Sequence, residues 1–103
     1  MAATPKKLYG GTLTTTTTAT LYTASGVTVV VTSITVNNKS GSSANLTLTI
    51  DGTALFTATP VPAGATWTLG PTDIRQAIPA SGTITGGASA GSALDVRISG
   101  VEL

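Results

Sequence analysis

Apolar residues recur at every second position through most of this chain, the period that places them on one face of a pleated strand. The clearest case is Asn45-Leu46-Thr47-Leu48-Thr49-Ile50, with Leu46, Leu48 and Ile50 on one face and Asn45, Thr47 and Thr49 on the other. Asp51-Gly52 follows, a dipeptide that accepts the positive φ of a tight hairpin turn. Ala54-Leu55-Phe56-Thr57-Ala58 is the predicted return strand, ended by Pro60 and Pro62. Upstream, Val27 to Val36 is a long β-branched segment, with Val30, Thr32, Ile34 and Val36 on one parity and Val29 and Val31 on the other. Apolar residues on both parities at its start predict an end covered on both faces. Asn37 to Ser43 has the composition of a turn-forming loop. Ala65, Trp67 and Leu69 alternate again after Pro62-Ala63-Gly64 and stop at Gly70-Pro71.

The remaining segments are less regular. Pro71 to Arg75 fits either a short helical turn capped by Thr72 or Asp73 or an extended crossover. Gly82 to Gly86 predicts a short strand, and Gly87 to Ser92 a small-residue loop. The last strand, Ala93 to Leu103, carries Leu94, Val96 and Ile98 on one parity but Val101 and Leu103 on the other. Such a slip at Ser99-Gly100 predicts a β-bulge. Thr14 to Thr18 is an unbroken Thr run. It resists helix through lost χ1 freedom, and its lack of apolar alternation gives it weak register. Residues 1–17 are therefore expected to form an extended N-terminal arm or an edge strand, and residues 18–103 a single β-sandwich domain. Seven or eight short strands with regular turn signals predict an all-β, antiparallel β-sandwich, jelly-roll or immunoglobulin-like in topology.

Composition narrows the chemistry. The chain has 22 Thr, no His, no Cys, and 5 + 4 = 9 charged residues among 103. A soluble domain ordinarily carries about 25% charged residues, so this neutral, Thr-rich surface is expected to be covered by neighbouring subunits. Without His there is no Ser-His-Asp triad. Zero Cys excludes disulfides and thiolate metal sites. The four acids, Asp51, Asp73, Asp95 and Glu102, are scattered along the chain, which argues against paired-carboxylate chemistry and against a Ca²⁺ site. Gly82, Gly86, Gly87 and Gly91 lack the following helix and the Lys-Ser/Thr pair of a phosphate loop. No catalytic residue, cofactor or metal is expected, and the chain reads as a structural or binding module, not an enzyme.

A net charge of +1 gives no nucleic-acid footprint. No apolar run is long enough to span a membrane, and the N-terminus lacks a secretory pattern, so production in a cytoplasm is expected. With one Phe, one Trp, two Tyr and one Met, the core must be built from smaller side chains. Trp67 shares parity with Ala65 and Leu69, which favours the core over an exposed binding platform. Lys6 and Lys7 are the one adjacent basic pair. Together with Leu8, Tyr9 and Leu13 they are the candidate partner-binding residues of the arm.

Several stretches are similar to small virion structural proteins of tailed bacteriophages. They are Lys7-Leu8-Tyr9-Gly10-Gly11-Thr12-Leu13, Leu21-Tyr22-Thr23-Ala24, Val31-Thr32-Ser33-Ile34-Thr35-Val36-Asn37, Val61 to Leu69 and Val96 to Leu103. The chain departs from that pattern at Ile78-Pro79-Ala80-Ser81-Gly82, where such proteins often have a fuller segment with an acidic residue. The resemblance implies a β-sandwich capsid decoration (cement) protein on the capsid surface of a virion. Its partners would be the major capsid protein or other virion proteins, and it would form a homo-oligomer, a trimer by preference. It implies no catalytic residues. A neck, tail or head-fibre component and a carbohydrate- or receptor-binding module are the alternatives.

Overall fold

The structure is a computed structural model and describes residues 4–70 and 76–103. Nine strands are present among the described residues: β1 (Thr4–Thr12), β2 (Thr20–Thr23), β3 (Val29–Asn38), β4 (Ala44–Ile50), β5 (Thr53–Val61), β6 (Thr66–Leu69), β7 (Gln76–Ile78), β8 (Thr83–Ala88) and β9 (Leu94–Glu102). They form two sheets. One has the order β1-β9-β3-β6, with β7 continuing the β6 edge of β3, and the other has the order β2-β8-β4-β5. Every pairing is antiparallel.

This order decides between the two expected topologies. In an immunoglobulin-like sandwich the first two strands pair in one sheet. Here β1 and β2 lie in different sheets, and the last strand inserts between the first and third, the arrangement of a jelly roll. The expectation for residues 71–75 falls outside the described residues.

The expected hairpin is present. Ile50 pairs with Thr53, and both turn residues have positive φ, 49° at Asp51 and 79° at Gly52, the signature of a type I′ turn. The return strand runs further than expected, through Pro60 to Val61. This is compatible with proline because β5 is an edge strand. Two register shifts and a positive φ at Ala58 distort β5 along its length. Bulges and Pro on an edge discourage pairing with a foreign strand.

The phase slip near Ser99-Gly100 has an unexpected location. β9 keeps one parity through Leu94, Val96, Ile98 and Gly100, all buried. The extra residues sit in its two neighbours instead: Leu8 in β1, between Lys7 and Tyr9, and Thr32 in β3, between Val31 and Ser33. The bulge at Thr32 explains why β3 is apolar on both parities. Val29 and Val31 face the core before it, and Ile34 and Val36 face the core after it. The start of β3 is thus not covered on both faces, because Val30 points outward and is half-buried. At Leu8 the bulge turns the side chain inward over Gly100, where an added Cβ would lie 3.1 Å from Leu8 Cδ1.

The N-terminal segment is also built into the sandwich. Thr4–Thr12 pairs along β9 as an edge strand. The Thr run then crosses from one sheet to the other against β8. The Ala88 amide donates to the Thr14 carbonyl (2.8 Å), and the Gly86 amide to that of Ala19 (3.0 Å). A Cβ on Gly87 would meet the Thr14 and Thr16 carbonyl oxygens, so the close crossing requires glycine there. Leu8 and Leu13 belong to the buried core, Leu13 being 1% exposed. They are unavailable to a partner, which corrects the reading of both as arm contacts.

One polar side chain is fully buried among the described residues. Asn38 ends β3, and its Nδ2 donates to the carbonyls of Ser42 and Val61, both at 2.9 Å. Its Oδ1 accepts from the Ser40 amide (2.9 Å) and hydroxyl (2.7 Å). This single residue holds the predicted 37–43 turn against the β5–β6 connection.

Three changes test this packing. Leu13→Ala is expected to lose about 2–5 kcal/mol in urea unfolding. Removal of residues 2–17 is expected to abolish the cooperative transition, because it uncovers β9 and empties two core positions. A truncated chain that still unfolds cooperatively would return this segment to the status of an arm. Asn38→Ala, which takes the side-chain donor from the buried Val61 carbonyl, is expected to cost about 1–3 kcal/mol by the same measurement.

Candidate interaction surfaces

A sandwich of two sheets has two flanks where its edges meet, and here the two differ. On the β1/β2 flank, Lys6 lies 5.7 Å from the centre of the Tyr22 ring, and its Nζ is 3.0 Å from Glu102 Oε2. The Glu102 carboxylate, which accepts that hydrogen bond, is the main cause that holds the Lys6 ammonium above its ordinary pKa; Tyr22 adds to it. Tyr9 is half-buried on the same flank, with its hydroxyl 3.4 Å from the Thr12 carbonyl. Of the five residues expected to meet a partner, Lys6 is therefore occupied within the chain. Leu8 and Leu13 are core, Tyr9 covers the flank, and Lys7 is exposed.

The β5/β6 flank is open. A cleft of about 350 Å³ is lined by Ile34, Val36, Phe56, Thr66, Trp67, Thr68 and Leu69. Trp67 pairs with Val36 and is half-buried, with its ring centroid 6.1 Å from that of Phe56 and tilted by 31°. The Trp is thus neither the closed core residue that its parity with Ala65 and Leu69 favoured nor a free platform: it packs against the core and lines the mouth of the sandwich. Among the described residues the cleft also touches Thr66 and Thr68, whose side chains the register with Asn37 and Thr35 turns to the outer face of the sheet.

The outer face of the five-stranded sheet is built by the strand register. Residues opposite one another across antiparallel strands share a face, so the pairings define rows. Thr12, Asp95, Asn37 and Thr66 form one row, and Gly10, Arg97, Thr35 and Thr68 the next. Lys7, Ser99 and Ser33 form a third, and Pro5, Val101, Val30 and Ala77 a fourth, apolar one. A groove of about 450 Å³ runs across the first three rows, with Lys7, Gly10, Gly11, Arg97 and Asp95 in its wall.

At the groove's margin, Thr12 Oγ1 donates to Asp95 Oδ1, and Lys39 Nζ lies 3.1 Å from the same oxygen. The Thr12 hydroxyl first, and Lys39 second, hold the Asp95 carboxyl below its ordinary range. Asp95 and Arg97 are two residues apart in β9, so the strand period alone puts them on one face. Sequence reading missed that Gly10 sits opposite Arg97, because strand register is not written in either strand alone.

No protein-family model matches the sequence, and no curated protein matches it. Among solved structures the fold is similar to a chain described as "Cyanophage Pam1 capsid asymmetric unit", with a TM-score of 0.51 and 18% identity over 99% of this chain and 86% of that one. At that identity the likeness is one of fold.

The Asp95 environment makes a titration prediction. A carboxyl with a depressed folded pKa stabilises the fold above its unfolded value of about 3.9, and that contribution is lost as pH falls through the folded pKa. NMR titration of the Asp95 carboxyl is expected to give a midpoint below the ordinary one, and Thr12→Val is expected to raise it. An unchanged midpoint in that variant would show that Thr12 does not set it.

Proposed function

We propose that this chain is a structural protein of a bacteriophage virion, a capsid decoration protein that binds the assembled shell and stabilises it. The observation that carries the proposal is the jelly-roll fold, similar over nearly its whole length to a chain of a cyanophage capsid asymmetric unit. The charge-poor composition and the Thr-lined outer face support it, since uncharged groups cost less to desolvate at a contact. In this reading the chain catalyses no reaction and assembles as a homotrimer. Its partners are the major capsid protein or its neighbours, and it is made in the host cytoplasm before joining the particle. Each contact is weak, and a closed shell with many sites raises the effective concentration of every copy.

A neck, tail or head-fibre component is the second structural reading. The sugar-binding alternative is less favoured by the cleft around Trp67, whose lining among the described residues is mainly apolar and offers the Trp67 indole N–H as its inward polar group. Oriented recognition of a polar ligand depends on several placed donors and acceptors.

Copy number tests the proposal. Quantitative mass spectrometry of purified parent particles is expected to find hundreds of copies per particle, scaling with the major shell protein. A handful of copies would contradict shell decoration and favour the neck or tail.

A further inference from the structure

Charge in this small chain is unevenly used. Among the described residues, Lys6 is paired with Glu102 and Lys39 with Asp95. Lys7 and Arg97 make no ion pair among the described residues, and both line the groove on the outer face of the five-stranded sheet. Gly10 pairs directly with Arg97, and Lys7 Cδ lies 3.4 Å from where a Gly10 Cβ would stand. The two cations therefore flank a stretch of backbone with no side chain of its own. Thr35, on the far side of Arg97, and Asn37, in the next row, supply further hydrogen-bonding groups.

Beside this groove runs the apolar row of Pro5, Val101, Val30 and Ala77. Val30 and Val101 are half-buried, and Pro5 and Ala77 are exposed. An apolar strip beside uncompensated positive charge is the complement of an acidic side chain that projects from an apolar protein surface.

We infer that the outer face of the five-stranded sheet is a docking surface for another protein, and that this partner brings a carboxylate into the groove between Lys7 and Arg97. The inference rests on the reading of the chain as a component of a protein assembly and adds which face makes the contact. Arg97 offers the forked donor geometry that matches a carboxylate. Lys7 adds a mobile charge from the adjacent strand. Two cations neutralise too few phosphates to hold a nucleic acid firmly at physiological salt. The β1 and β5 edges are poor alternatives for contact, since β1 carries Pro5 and a bulge and β5 carries Pro60 and two.

The test is an amide NMR titration of the full chain at low salt, with hexaglutamate as the acidic probe and a short DNA duplex as the competing one. Hexaglutamate is expected to shift the resonances of Lys7, Gly10, Gly11, Val96 and Arg97. The double variant Lys7→Gln/Arg97→Gln is expected to weaken the probe about fivefold or more, while Lys6→Gln leaves it within about twofold. Shifts spread equally over Lys6 and Lys39, or insensitivity to the double variant, would overturn the proposal. So would tighter binding of the duplex. Self-association abolished by Asp51→Asn would also overturn it, by making a second copy the occupant. The probe needs no particle, so failure here leaves the capsid reading standing, and a low copy number leaves the groove standing.

Discussion

The insertion of β9 between β1 and β3 is the constraint on which the rest of this molecule depends. Its inward residues Leu94, Val96 and Ile98 build the middle of the core. Its outward residues Asp95, Arg97, Ser99 and Val101 define the rows of the outer face. Gly100 is buried against the Val30 backbone, and both flanking strands bulge beside Ser99, β1 opposite Ile98-Ser99 and β3 opposite Ser99-Gly100, to keep their apolar residues inward. A side chain at Gly100 would force those strands apart. One strand thus sets packing and presentation together.

Few large side chains are available to this core, so alternation and close backbone approach carry the packing. That is why glycine and threonine stand where other sandwiches place bulk. Thr satisfies both sides of the pleat: its methyl packs, and its hydroxyl stays hydrated or bonds a neighbour, as Thr66 does with Asn37 at 3.0 Å. The same economy leaves a surface with few charges. Most of those described are paired locally, and the cations left over converge on the face that β9 organises.

Local features of the fold were legible in the sequence, and non-local ones were not. The 45–58 hairpin could be read because alternation and Asp51-Gly52 act within a few residues. The slip at Ser99-Gly100 was visible, but its resolution was not, since the extra residues lie in partner strands far away in sequence. β2 and β7, four and three residues long, carry too little pattern to be seen. Leu8 and Leu13 stand alone among polar, Gly and Thr neighbours, so nothing local marks them as core. The jelly-roll order depends on the pairing of the first strand with the last, which no local period encodes. On the outer face, Lys7 and the Asp95/Arg97 pair could each be noticed, but their convergence over Gly10 is a product of register.

The central claim is that β9 presents the contact face of a capsid-bound protein. A cryo-EM map of the parent particle tests it most directly. The account predicts this density on the shell, with the five-stranded sheet turned toward its neighbour and Arg97 covered at the contact. Density in which that sheet faces solvent, or which lies on the tail, would contradict it.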